Sequence, residues 1–433
     1  MGQTEIGLIG IGVLMVLLLM GVHVGFALIL VGFVGYGLIS GFHGAIANMA
    51  ILPFDKLNDY HFAVLPLFLL MGSFVAYSGI GREAYEMART WLGQLRGGLA
   101  MATVLACALI AATAGTSAVG AILMGQVAYP EMKRLGYSKR LAAGCIASGG
   151  TMGILIPPSM GFVLIGILTE LSIGKLFIAG IIPGVLEAVF YVLTIFILCR
   201  VNPQLAPSSI KTTWKEKTSS IKLTWPIFLL FVLIMGGIYG GVFTPTEAGG
   251  IGALGALIIG MAKRQLGLGG IWDSLMECGR MVAMIIIMLV GAYMFNAFLA
   301  ITQIPTTISE FITGLGVSPM IILIAVIVFY IICGMFFDVI AILVLTIPII
   351  YPLMDSLGFN LIWYSVLMVR IIEIGMITPP FGINLFILTG VINEPLGVLY
   401  RGIIPFVIAD FCHVALLIAV PSISTWLPSI MMS

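Results

Sequence analysis

Gly153-Ile154-Leu155-Ile156-Pro157-Pro158 is written a second time, 222 positions later, as Gly375-Met376-Ile377-Thr378-Pro379-Pro380. At the same offset, without a gap, Tyr129-Pro130-x-Met132-x-x-Leu135-Gly136 returns as Tyr351-Pro352-x-Met354-x-x-Leu357-Gly358, and Gly180-Ile181-Ile182-Pro183 returns as Gly402-Ile403-Ile404-Pro405. With Ile165 and Ile387 these make 13 identities between positions 129–183 and 351–405, rich in the Gly and Pro residues that shape backbone. The chain therefore contains an internal duplication. Each copy sets two prolines inside an apolar run, where the missing amide and the ring clash break a helix at a cost of about 3 kcal/mol or more. At membrane depth the freed backbone is tolerated only where protein or a polar cavity satisfies it. A matched pair of such breaks in two related halves points to the binding site of a secondary transporter. A packing kink is the alternative for either break taken alone.

Composition sets the class. Of 433 residues 61% are hydrophobic and 9% charged, and the mean hydropathy of +1.20 excludes an ordinary soluble globule in favour of an all-α polytopic membrane protein in contact with lipid. A formal net charge of +1 without an isolated basic tail gives no indication of a nucleic-acid partner. Six scattered cysteines with no C-x-x-C read as small buried hydrophobes, and neither they nor the four histidines form a transition-metal set. The first apolar run, from Ile6, lacks the basic start and small-residue cleavage site of a secretory signal and reads as a retained helix.

Outward from the breaks, the pattern predicts short spans at 6–20 and 24–40, separated by Gly21-Val22-His23. His23 reads either as a proton carrier or as a satisfied polar group at a helix junction. Positions 41–60 read as loop with short amphipathic pieces, and a span follows near 62–80. The apolar stretch from about 98 to 130 lies between two basic, hence cytoplasmic, segments, so it must cross an even number of times. Two arms of 16 residues reach roughly 24 Å, short of the ~30 Å hydrocarbon core. A re-entrant hairpin with its tip at Ala112–Ser117 fits instead. Positions 320–350 repeat the problem, with a tip near Cys333–Asp338. The broken spans are expected at 138–168 and 362–390.

Charge gives the orientation. Met132–Arg140 holds four Lys and Arg, whereas its counterpart Met354–Asn360 holds none. Equivalent loops then lie on opposite faces, which makes the duplication an inverted-topology repeat. On this map 15 of the 19 Lys and Arg fall in cytoplasmic stretches 82–97, 133–140, 200–222 and 263–280. The expected units are N-terminal scaffold helices with a basic arm (1–97), a first repeat core (98–200), a cytoplasmic linker (201–222), second scaffold helices (223–319), and a second repeat core with C-terminal helices (320–433).

Freed carbonyls and hydroxyls at the two breaks are hard oxygen ligands suited to an alkali cation. The helices restarting after Pro158 and Pro380 aim unpaired amides back at the gap, a seat for a carboxylate. Among intramembrane ionisable groups, Arg370 and Glu373 lie one turn apart and either neutralise each other or serve gating or substrate. Asp338 stands at the second tip, as a functional group or as a carboxylate bonded to tip amides. Glu187 and Asp410 fall at nearly equivalent positions of the repeats and read as structural. Glu247 follows a proline at a helix start, where capping explains it. Ser117, Ser159, Asp338, Arg370 and Asn384 are the candidate substrate contacts.

Gly-Ile-Leu-Ile-Pro-Pro-Ser at 153–159, Phe243-Thr244-Pro245-Thr246-Glu247-Ala248, and Gly375 through Asn384 together resemble the large membrane (DctM-type) subunit of tripartite ATP-independent periplasmic (TRAP) transporters. The resemblance covers essentially the whole chain. It implies an elevator-type importer in the bacterial inner membrane, coupled to Na+, in which a mobile unit bearing both hairpins and both broken spans moves against a static scaffold. It also implies a small four-helix membrane subunit and a periplasmic binding protein that delivers an organic acid. One sodium site would fall on Ala114, Thr116, Gly153, Ile156 and Pro158, largely through backbone oxygens, and a second on Gly334, Gly375, Thr378 and Pro380. Some relatives carry serine where this chain has Ala114 and Thr116, so Ala114 offers backbone oxygen alone. No small subunit is fused at the N-terminus, and a separate chain is expected to supply it. A stand-alone anion:sodium symporter or a metalloid efflux protein of similar architecture is the alternative. An intramembrane enzyme would need a constellation such as His-x-x-x-His or Gly-x-Ser-x-Gly, and none is present.

Overall fold

The computed structural model describes residues 2–207, 212–314 and 316–431. Helices α1 (Gln3–Leu19) and α2 (Val24–Ser40) meet where expected, and His23 Nδ1 accepts the Gly25 N–H at 3.3 Å, so the histidine caps α2. The sequence reading of 41–60 as loop is corrected. A single helix, α3 (Phe42–Leu57), runs through Pro53, followed by a 3-10 turn at Tyr60–Ala63. Ile46, Met49, Pro53 and Leu57 recur at helical spacing, and that apolar stripe outweighs the interruption by one proline.

Then come α4 (Val64–Tyr77), α5 (Ile80–Leu92) and a hairpin of α6 (Gly98–Ala114) and α7 (Ser117–Arg134) that turns at Gly115-Thr116. The first broken span is α8 (Lys139–Leu155) with α9 (Met160–Thr169), and α10 (Ile173–Val201) leaves it. The linker is shorter than its charge implied, because α11 (Trp214–Tyr239) already begins at Trp214. The cause is local. Thr213 Oγ1 accepts the Glu216 N–H at 3.3 Å and Glu216 Oε2 accepts the Thr213 N–H at 2.7 Å, a capping box that starts the helix among charged residues. Gln94 Nε2 donates to the Thr212 carbonyl at 2.6 Å and ties this entry to the end of α5. Positions 208–211 of the expected linker lie outside the described residues.

The second half comprises α12 (Pro245–Ala262), α13 (Leu268–Thr302), α14 (Ile304–Gly314) and a second hairpin of α15 (Pro319–Phe336) and α16 (Val339–Ser356), turning at Phe337-Asp338. The second broken span is α17 (Leu361–Ile377) with α18 (Ile383–Ile392), and α19 (Leu396–Ala419) and α20 (Ser422–Met431) end the chain with a bend at Val420-Pro421. Among the described residues, nine helices or helix pairs are long and apolar enough to cross a bilayer.

Two groups of helices result. In one, α2 packs along α13, α4 along α12 and α13, and α11 against α5 and α12. In the other, α8 packs on α6, α7 and α19, while α17 packs on α15, α8, α10 and α19. The groups meet where α5 and α4 touch α6, α4 touches α9, and α13 touches α16. Both breaks lie in the second group, each against its own hairpin.

Candidate functional site

At the first break α8 stops at Leu155 and α9 restarts at Met160, leaving helix-end groups that need partners. Ser159 supplies two of them: its hydroxyl donates to the Ile154 carbonyl, and its Oγ accepts the Phe162 N–H at 3.5 Å. Ser159, expected as a substrate contact, thus bridges the two ends of the broken span. The Met160 N–H donates to the Gly115 carbonyl at 3.2 Å, fastening the restart of the helix to the hairpin tip. Gly153 lies so close to the tip that a Cβ there would come within 2.3 Å of the Thr116 carbonyl oxygen. Thr116 Oγ1 is buried and has no hydrogen-bond partner, and Ser117 beside it is 4% exposed. Pro158 is buried and Ile156 half-buried, while Ala114 contributes the last backbone turn of α6. The five positions expected to form the first cation site are thus split between one hairpin tip and one break, and the structure joins the tip and the break directly.

The second break repeats this with different chemistry. The Thr378 hydroxyl donates to the Ile374 carbonyl at 2.6 Å, and the Gly382 N–H donates to the Met335 carbonyl at 3.3 Å, again joining tip to break. Gly334 and Gly375 meet where α15 crosses α17: a Cβ on Gly375 would stand 2.6 Å from the Ile331 carbonyl oxygen and 2.7 Å from the Gly334 Cα. Asp338 accepts the Ala341 N–H at 2.8 Å and caps α16, the tip-bonded role that the sequence left open. The Pro157–Pro158 and Pro379–Pro380 peptide bonds are both cis. The breaks differ in access. Pro157 and Pro158 are buried, whereas Pro380 is exposed and the Phe336 and Phe381 rings beside it, 4.6 Å apart, are 50% and 44% exposed. Tyr400 donates its hydroxyl to the Pro380 carbonyl. Asn384, on the first turn of α18, is fully buried with both amide atoms unpartnered.

Arg370 is the largest fully buried side chain, and the structure commits it elsewhere than to a ligand. Its Nη1 lies 2.8 Å from Glu187, its Nη2 pairs with Asp410 and lies 3.2 Å from the Tyr191 hydroxyl, and its Nε donates to His413 Nδ1 at 3.2 Å. Of the two readings left open for Arg370 and Glu373, mutual neutralisation is not what forms: α10 and α19 bring Glu187 and Asp410, one acid from each repeat, to the guanidinium instead. The sequence carried a signal for this, since a lone acid in each of two equivalent apolar runs and a lone arginine in a third must find one another. Tyr191 and His413 carried none.

A second inter-repeat contact, at the far end of α18, went unread. Glu394 lies 3.0 Å from both Lys133 and Lys139, joining the α18–α19 turn to the ends of α7 and α8. Its side chain is 5% exposed while each lysine is 52% exposed. Hydrogen bonds from Lys139 and Lys133 pull the Glu394 carboxyl down to about 2. A depressed carboxyl stabilises the fold above its ordinary range, and that contribution fades as pH falls through the ordinary carboxylate range toward 2. Glu394→Gln should lower thermal stability by about 1 kcal/mol at neutral pH and low salt, less at high salt because the lysines are solvated. The difference from the parent should shrink as pH falls below about 4.5 and vanish only below pH 2; melting curves at two salt concentrations and across this pH range check it.

The comparisons agree with this architecture. The family model described as "Tripartite ATP-independent periplasmic transporter, DctM component" matches residues 11–423. The chain belongs to this family. It is 36% identical over 387 residues to the C4-dicarboxylate TRAP transporter large permease protein DctM of Pseudomonas aeruginosa, covering 89% of this chain and 90% of that one. It is 28% identical to the sialic acid TRAP transporter large permease protein SiaM of Vibrio cholerae, covering 96% of each. The YdaH transporter of Alcanivorax borkumensis superposes with a TM-score of 0.65 at 15% identity, over 90% of this chain and 89% of that one, a likeness of fold. The chain is thus a TRAP large permease subunit, a multi-pass inner-membrane transport protein and not an enzyme.

Proposed function

We propose that this TRAP permease subunit carries an organic acid inward, coupled to sodium, by an elevator movement of the helices bearing both breaks against the group built on α2, α4, α12 and α13. A periplasmic binding protein hands over the substrate and a small four-helix membrane subunit supports the scaffold. The observation that carries the reading is the construction of the breaks. Each interrupted span is fastened to its own hairpin tip, and at the first tip a buried Thr116 Oγ1 has no protein partner. Unpaired hard oxygen at a helix break suits an alkali cation, and the amides opening α9 and α18 suit a carboxylate. The relatives named for C4-dicarboxylate and sialic acid support an acidic substrate.

Uptake into proteoliposomes holding the chain, its small subunit and its binding protein tests this: uptake driven by an inward sodium gradient and absent with potassium is expected, and equal uptake with either ion overturns sodium coupling. Thr116→Val and Thr378→Val each keep side-chain volume and remove one hydroxyl. Each is expected to raise the sodium concentration for half-maximal uptake by about tenfold, equivalent to about 1.4 kcal/mol. Sodium activation curves check it, and unchanged curves remove the hydroxyl from the site.

A further inference from the structure

We propose that Glu373 is the counter-charge of a monovalent cation held between the two repeats, beside the first hairpin tip. This deepens the sodium-coupled reading above and rests on it. Glu373 is fully buried, and neither carboxylate oxygen has a hydrogen-bond partner. The nearest cation in sequence, Arg370, is already taken by Glu187 and Asp410. His413 adds no positive charge, because its Nδ1 accepts the Arg370 Nε–H and so carries no proton. With Glu373 ionised, this buried region holds two negative charges beyond what Arg370 neutralises. A buried carboxylate without a counter-charge is strongly unfavourable, so this group either holds a proton or is joined by a cation, and the oxygens around it favour the cation.

The surroundings supply what such an ion needs. The Ser117 hydroxyl of the first repeat lies beside the Glu373 carboxyl without completing a hydrogen bond to it. The adjoining Thr116 Oγ1 is unpartnered. Helix α18 packs on α7, with Leu388 and Val391 against Gly125, and one turn earlier carries Asn384, whose buried amide oxygen and nitrogen are also unpartnered. Carboxylate, hydroxyl and amide oxygens from both repeats form a hard donor set, suited to an alkali cation rather than a transition metal. The repeat geometry does not itself demand an acid here. The counterpart of Glu373 at the 222-residue offset is Thr151, a neutral side chain whose hydroxyl lies 3.3 Å from Glu187 and 3.2 Å from Tyr191.

A consequence for coupling follows. Without the ion, the moving unit carries two unbalanced negative charges into low dielectric as it crosses; one bound monovalent cation halves that excess. Cation binding then precedes reorientation on electrostatic grounds.

The test uses the purified chain with its small subunit in lipid nanodiscs, titrated with NaCl at constant ionic strength against choline chloride, with the thermal unfolding midpoint as readout. The parent is expected to gain stability with sodium. Glu373→Gln should need about tenfold more sodium or beyond for the same gain, with a shallower titration, and Glu373→Asp should restore part of the response. An unchanged sodium titration in Glu373→Gln, with the parent responding, overturns this proposal alone. No sodium response in the parent overturns it together with the sodium-coupled reading. If Glu373→Gln does not fold, Glu373→Asp carries the test: it keeps the charge and shortens its reach, so an unaltered sodium midpoint overturns the proposal.

Discussion

Gly375→Val is expected to cut sodium-driven uptake by about 100-fold or more while the protein still inserts into the membrane. The reason lies in backbone rather than side-chain crowding. A Cβ at 375 would come within 2.6 Å of the Ile331 carbonyl oxygen and 2.7 Å of the Gly334 Cα, and neither atom belongs to a flexible side chain that could swing away. Helices α15 and α17 must separate, and overpacking of this kind costs about 1–3 kcal/mol. The displacement falls three residues from Thr378, so it acts on the second break itself. A loss of about 3 kcal/mol in cation binding corresponds to about 100-fold. Gly334→Val meets the Ile372 carbonyl oxygen at 2.6 Å and should give the same result from the other side of the crossing. Surface labelling and sodium titration of uptake check both variants; normal sodium activation in either would place the cation away from this crossing.

Much of the fold was legible because the decisive residues act through backbone. Gly115 and the two double prolines impose a turn or a break whatever surrounds them, so hairpin tips and interruptions appear within a few residues of where the sequence put them. The errors came where two local signals competed. Pro53 argued for loop against a helical apolar stripe, and the lysines of 215–222 argued for linker against the Thr213/Glu216 cap, and in both places the helix prevailed. Of the site residues, those expected on the tips and breaks are brought together in pairs, Thr116 with Gly153 and Gly334 with Gly375. Side-chain partners were legible only as a need for one: Asp338 takes the capping role that was one of its two readings, Ser159 also caps a helix, and the lone Arg370 finds the lone acids of α10 and α19, a match that charge demands but no spacing rule locates.

That arginine offers the other large effect. Asp410→Ala or Glu187→Ala should destabilise the protein by about 3–5 kcal/mol, because each leaves part of a fully buried guanidinium without its partner. Arg370→Met should be at least as damaging, since it strands two carboxylates. The triple substitution Arg370→Met, Glu187→Leu, Asp410→Leu removes every charge of the network at once, and buried ion pairs replaced wholesale by apolar side chains are often neutral in stability. It should therefore unfold closer to the parent than any single variant, a non-additivity expected of groups in direct contact. Thermal unfolding in detergent of the three single variants and the triple variant decides it. If the single losses instead sum to the triple one, the three charges act independently, and the network is not what holds α10, α17 and α19 together. If the network is only structural, the triple variant retains sodium-driven uptake. Loss of uptake in a stably folded triple variant would mean that the arginine serves the transport cycle as well as the fold.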